Sequence, residues 1–356
     1  MLPPSRGRVS CVKGRFMVTV KEVAKHAGVS LATVSRVING AENVSPIIRE
    51  RVQGSIKALG YFPNNAARSL VRRQSGSIAV LLRNLHSPFF TDLIRGFEDG
   101  MHQTKRNIFF CSLGKDQSFR DQYIQFLTGG VSDAIILYGS LFTDQPMIEH
   151  LQSIHFPLLL IENNFQSMTV NQFLVNNHEG AQSAVNYLVS KGHTRIAHFM
   201  GDPNKKVNLD RFTGYTQAMQ SNGLLIREDY LCHTMSDSQT AYQLAQDLMR
   251  RPPQTRPTAI FCCSDRIAAS AIMGITDMGF SVPRDISIIG FDNQRLPHEN
   301  YTGPRITGIC QPLYQMGLDS IKTITDILDG NLSQPVTRLY DTTLMEYETV
   351  CPPPDL

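Results

Sequence analysis

Tryptophan is absent from the chain, so any ring that stacks on a ligand must come from its Phe or Tyr residues. Long hydrophobic runs are also missing. The longest, 78–82 and 157–161, fall far short of the ~20 residues that cross a bilayer, and they read as buried strands. The basic N-terminal stretch has no apolar segment behind it, which argues against a secretory leader. Seven cysteines, an odd number with no C-x-x-C pair, argue against a disulfide framework or a zinc site. Cys262 and Cys263 are adjacent and read as opposite faces of one strand. Enzyme signatures are equally scarce: there is no Walker A run, no G-x-G-x-x-G after a strand and no G-x-S-x-G. His193 and His198 flank Arg195 without a set of metal-ligand partners and read as structural. These absences lead to an expectation of a cytoplasmic protein with no catalytic residue, no cofactor, no metal and no membrane partner.

What charge there is lies unevenly. Residues 1–73 hold thirteen Lys and Arg against Glu22, Glu42 and Glu50, a net +10, which leaves the remainder of a +3 chain at −7. A basic head on an acidic body suits a phosphate-binding module tethered to a separate domain. At 356 residues the chain is long enough for two or three domains.

Thr19-Val20-Lys21-Glu22 reads as a capping box, and Val20, Val23, Ala24 and Ala27 then recur on one helical face. Gly28 closes that helix. Ser30 opens a second, Leu31 to about Ile38, with Val34, Val37 and Ile38 inward. Ser45 and Pro46 begin a third, with Ile48, Val52, Ile56 and Leu59 inward. The spacing Ala24, Gly28, Val34 is that of a helix-turn-helix: a small residue for close approach, a tight turn, and a plug for the shared core. The outer face of the second helix carries Leu31, Ala32, Thr33, Ser35, Arg36 and Asn39. Arg36 can fork onto guanine, and Ala32 or Thr33 can touch a thymine methyl. With Thr19 these are the candidate contacts to duplex DNA.

The stretch Val18 to Gly40, continued by Asn43-Val-Ser-Pro, Arg51-Val and Leu59 to Leu70, resembles the signature of the lactose-repressor (LacI/GalR) family of bacterial transcriptional regulators. The resemblance implies that Met17 begins the DNA-binding domain (17–63) and that residues 1–16 are an unassigned extension. It implies a hinge at 64–75 whose paired copies fold into helices in the minor groove. Leu70 would wedge between base pairs there, with Asn64, Ala67 and Arg68 along the groove. The hinge residues are Ala-, Arg- and Leu-containing rather than Gly/Ser-rich, and too short to hold a helix alone.

From Ser77 onward β-rich runs alternate with amphipathic helical stretches in two series. That predicts an α/β sensor of two doubly wound lobes beside the N-terminal all-α domain. The arrangement is similar to the periplasmic sugar-binding-protein fold of the family's sensor, which implies three crossings between lobes, expected near 176, 307 and 335. Lobe 1 is then 76–175 and 308–335, lobe 2 is 176–307 and 336–350, and 351–356 is a tail. Ligands in such sheets bind beyond the carboxyl ends of strands. This selects Phe89, Phe90, Glu162, Asn163, Ser264, Asp265 and Asp292, together with Arg211 at the start of a helix. Asp265 has a competing reading as a helix N-cap. In the family, the residues matching Arg211 and Asp292 clamp the effector. A carboxylate with an Arg fork and a Phe platform suit a carbohydrate-like ligand. The chain departs from the family at Ser264, where Asn is common, and at Glu162-Asn163, where Asp-Arg is frequent. No heptad repeat follows helix 312–329, so a homodimer on a palindromic operator is expected rather than a coiled-coil tetramer. Of the other classes, an enzyme would turn its ligand over, and a transport binding protein would lack the basic head.

Overall fold

The computed structural model describes residues 18–62, 74–113, 117–162, 165, 169–295, 300–333 and 335–354. The chain divides into two compact units, Met1–Arg73 and Gln74–Leu356.

The first unit contains α1 (Val20–Ala27), α2 (Leu31–Ile38) and α3 (Pro46–Leu59). The capping box at α1 forms: the Thr19 amide donates to Glu22 Oε2 at 2.6 Å and the Glu22 amide donates back to Thr19 Oγ1 at 3.4 Å. The Thr19 amide and hydroxyl, both donating to Oε2, hold the Glu22 carboxyl below its ordinary range. Gly28, at φ +64°, ends α1 in the left-handed conformation that the turn requires. Val23, Ala24 and Ala27 meet Val34, Val37 and Val52 in a small core. Ile48, Ile56 and Leu59 pack at its edge. His26 Nδ1 and Ser55 Oγ, 3.0 Å apart, tie α1 to α3.

The second unit holds two six-stranded sheets. The first comprises β1 (Ser77–Leu82), β2 (Asn107–Ser112), β3 (Ala134–Tyr138), β4 (Leu158–Ile161), β5 (Asn171–Val175) and β11 (Thr337–Tyr340). Its order is β11-β5-β4-β3-β1-β2, and every pairing is parallel. The second comprises β6 (Ile196–Met200), β7 (Leu231–His233), β8 (Ala259–Cys262), β9 (Ser287–Asp292), β10 (Gly308–Cys310) and β12 (Thr343–Met345). Its order is β12-β10-β9-β8-β6-β7, with only the β10–β12 pair antiparallel.

The central strands of each sheet are buried on both faces, which is why they read as continuous apolar runs rather than as alternation. In β1, Ile78, Val80 and Leu82 face α4 (Thr91–Thr104) and α11 (Leu313–Leu328), while Ala79 and Leu81 face α5 (Gln117–Phe126) and α6 (Gln145–Ser153). The second sheet is sandwiched in the same way, by α7 (Asn177–Ser190) and α8 (Lys206–Ser221) on one face and α9 (Ser238–Met249) and α10 (Asp265–Asp277) on the other. Helices α4 and α11 approach very closely. A Cβ on Gly96 would lie 2.1 Å from the Tyr314 carbonyl oxygen, and one on Gly317 would lie 2.3 Å from that of Leu93.

Two of the expected crossings move. The first falls between β5 and α7. Gly308–Cys310 pairs with β9, so it belongs to the second lobe, and the second crossing comes at 311–312 rather than 307. Thr337–Tyr340 pairs with β5, so the third comes after Tyr340 rather than near 335. The reason is that short strands take their lobe from their ladder partner, which is distant in sequence. Strand β12 is only three residues long. Among the described residues, no helix is long and apolar enough to cross a membrane.

Candidate functional site

Two sites emerge, one in each unit. On α2, Leu31, Ala32, Ser35, Arg36 and Asn39 are exposed, and Thr33 is half-buried. Thr33 is partly engaged at the cap, its amide donating to Ser30 Oγ at 3.1 Å. Asn39 closes the helix and donates to Ser35 Oγ at 3.3 Å. The face is therefore a short strip of small and apolar side chains with one guanidinium near its end. Thr19 stands at the exposed start of α1, engaged with Glu22. Asn64, Ala67, Arg68 and Leu70 lie outside the described residues.

In the second unit a cavity of about 610 Å³ opens at the carboxyl ends of both sheets. Phe89, Phe90, Glu162, Arg211, Ser264 and Asp292 all line it. Phe90 is mostly core, and Phe89, half-buried, forms the apolar wall with Tyr138, their ring centroids 5.7 Å apart. Asn163 lies outside the described residues.

The polar side of the cavity is one connected network. Glu162 follows β4 at φ +53°, turned so that its Oε1 accepts from the Val175 amide at 2.6 Å and its Oε2 from Asn177 Nδ2 at 2.9 Å. Asn177 Oδ1 accepts from Arg211 Nε at 2.9 Å. Arg211 lies 3.6 Å over the Phe291 ring, donates to the Cys263 carbonyl and stands 3.6 Å from Asp292 Oδ1. Gln311 donates to the same Oδ1 at 2.7 Å. Asn177 and Gln311 sit at the first two crossings, so the network stitches the lobes together where the chain passes between them. Burial pushes the Glu162 carboxyl up to about 7 and that of Asp292 up to about 6, against the pull of Arg211 and the amide donors.

Asp265 is a correction on both of its readings. It does not line the cavity, and the N-cap of α10 is Ser264, whose Oγ accepts from the Ile267 amide. Asp265 is the first helical residue, fully buried against Gly290, where an added Cβ would lie 2.1 Å from its Oδ1. Its Oδ2 accepts from the Gln294 amide at 2.6 Å, fixing the loop after β9, and burial raises its carboxyl well above the usual range. The two histidines serve the fold. His193 bridges Thr258, Ser287 and the Cys351 carbonyl. His198 donates to the Phe261 carbonyl and stacks between rings, and burial holds it neutral, down to about 4.

Sequence reasoning missed Arg83, Tyr138, Lys205, Asn208 and Gln311, all of which line the cavity. Arg83 and Tyr138 stand at strand ends, where the rule that selected Glu162 would also have found them. Lys205 and Asn208 follow β6 by a loop, and Gln311 follows β10, a short strand that was not anticipated.

Among protein families, residues 19–64 match the model described as bacterial regulatory proteins, lacI family, and residues 185–350 match a periplasmic binding protein-like domain. The chain is 31% identical over 313 residues to catabolite control protein A of Priestia megaterium, covering 88% of this chain and 93% of that one. It is 32% identical over 308 residues to the ribose operon repressor of Haemophilus influenzae, covering 86% and 91%. Among solved structures it is similar to a transcriptional regulator CelR–cellobiose complex, at 26% identity and TM-score 0.70, covering 94% of this chain and all of that one. It also shares the fold of the lac repressor dimer bound to operator and an anti-inducer, at 24% identity and TM-score 0.80, covering 94% and 99%.

Proposed function

The chain belongs to the lacI family of bacterial regulatory proteins and is a DNA-binding transcriptional regulator, and from that premise we propose that it is a repressor switched by a small polyhydroxylated effector bound in the cleft of its second unit. The observation that carries this reading is the Glu162–Asn177–Arg211–Asp292 network, a fork and two carboxylates beside a Phe wall, at the points where the chain passes between lobes. Vicinal hydroxyls match such a fork, and the apolar face of a sugar ring matches Phe89. A ligand touching both lobes favours one closure over the other by its differential contacts. The similar regulator CelR, solved as a complex with cellobiose, supports the same ligand class.

The protein acts as a homodimer in the cytoplasm on a palindromic operator. Each α2 enters a major groove, with Arg36 on base edges and the basic residues of the first unit on phosphates. Residues 64–75 form the hinge, with Leu70 as the wedge and Asn64, Ala67 and Arg68 in the minor groove. Effector closure of the cleft alters the hinge spacing at the dimer centre. The test selects duplexes from a random pool and measures their affinity by fluorescence anisotropy, with and without a panel of sugars, glycosides, sugar phosphates and nucleosides. One ligand is expected to change operator affinity, to be recovered unaltered, and to lose its effect in Asp292→Ala. A ligand that acts equally on that variant would move the site out of this cleft.

A further inference from the structure

Resting on that reading of the cleft, we propose that the effector carries a small oxyanion, a phosphoryl or carboxyl group, seated between Arg83 of the first lobe and Lys205 of the second. Both carboxylates that line the cavity are already engaged. Each Glu162 oxygen accepts a hydrogen bond from the crossing segment, and Asp292 accepts from Gln311 and Gln294 beside Arg211. The lining cations are balanced differently. Arg83 is held in place by the Gly139 carbonyl and by Asp144, an acid it shares with Arg120. Lys205 and Arg266 have no carboxylate within ion-pair distance among the described residues, and Arg266 donates instead to Ser238 Oγ and the Ser236 carbonyl.

Among the described residues three cations of two lobes besides Arg211 thus line one cavity, in a body that is acidic overall. Lys205 is half-buried. Its ammonium is held below the ordinary range by burial and, against the attraction of Asp202, by the fields of Arg266 and Arg83. Like charges on facing lobes oppose closure, and an anion between them reverses the sign of that interaction. The charged group would therefore be the part of the ligand that drives the lobes together, while the Arg211–Asp292 side recognises hydroxyls.

The experiment uses the full chain and follows its melting temperature. Inorganic phosphate is titrated against chloride at matched ionic strength, then glucose, glucose 6-phosphate and glucuronate are compared, as are ribose and ribose 5-phosphate. Phosphate is expected to raise the melting temperature saturably, and Lys205→Gln is expected to remove that rise. Charged sugars are expected to bind more tightly than their neutral parents, and Lys205→Gln to weaken only the charged ones, by about tenfold or more. Should that variant not melt cooperatively, Arg266→Gln takes its place with the same expectation. The phosphate and carboxylate members of the set distinguish the two oxyanions. A phosphate titration with no saturable rise, or one unchanged in both variants, overturns the proposal. A neutral sugar that binds as well as its charged counterpart and is lost in Asp292→Ala also overturns it, while leaving the cleft reading intact. Lys205-dependent phosphate binding with sugar binding indifferent to Asp292→Ala would uphold the oxyanion seat and remove the hydroxyl clamp.

Discussion

Glu162 lies in the cleft with both oxygens accepting hydrogen bonds, yet burial still outweighs those donors and raises its carboxyl to about 7 from the ordinary 4.5. The folded chain therefore binds this proton more tightly than the unfolded chain does. Its contribution to stability is full below pH 4.5, declines as pH rises towards 7 and is lost above it. Over that window the change is about 3 kcal/mol. His198 works in the opposite sense: its lowered value adds stability as pH rises from about 4 to the ordinary 6.5. Comparing the wild type with Glu162→Gln isolates the first effect, because the histidine is common to both. Urea titrations at pH 5 and pH 8 should show the variant gaining on the wild type at the higher pH, and an unchanged difference would place the Glu162 proton elsewhere. Asp292 could be picked out from the sequence because it ends a strand, and Arg211 through the family resemblance, although it lies inside α8 rather than at the start of that helix. The engagement of Glu162 with Val175 and Asn177 could not, because it depends on a positive φ and on a chain crossing thirteen residues away.

The elements yield sharper contrasts. Gly96 on α4 faces the Tyr314 carbonyl across α11, whereas Gly54 on α3 has open space around it. Gly96→Ala should destabilise the second unit by about 1–3 kcal/mol through overpacking against backbone. Gly54→Ala should stabilise α3 by up to about 1 kcal/mol, since only chain entropy and propensity change. Denaturant midpoints for the two variants should move in opposite directions, and a shared direction would contradict the packing described for α4 and α11. On α2 the distinction lies between reading and scaffolding. Arg36→Ala should cost about 1–3 kcal/mol against the selected duplex and little against random DNA. Thr19→Ala, which breaks the capping box, should lower head stability by about 1 kcal/mol. Anisotropy on both duplexes separates the two; an equal loss on each would make Arg36 a phosphate contact. Element types were largely visible beforehand, since buried parallel strands announce themselves as apolar runs and α1 by its capping box. The three-residue strands β7 and β10 were not, because such short segments become strands only when a neighbour supplies the ladder.

At the scale of the whole molecule, charge and linkage govern behaviour. A head of +10 should give DNA binding that weakens steeply with salt. Effector and operator must also act on each other by one factor: a ligand that lowers operator affinity tenfold should itself bind tenfold more weakly to the operator-bound protein. Isothermal titration with and without the selected duplex measures both, and unequal factors would mean that the ligand acts outside this two-state scheme. The sequence by itself determined the two-unit plan, the helix-turn-helix and the doubly wound lobes, because caps, apolar periodicity and charge segregation are local or additive properties. Only the tertiary structure decided which lobe β10 and β11 join, that Asp265 is sealed behind Gly290, and that Arg83 and Lys205 line the same cavity. Those facts arise from ladder pairing and close packing between segments far apart in the chain, where no local pattern carries the information.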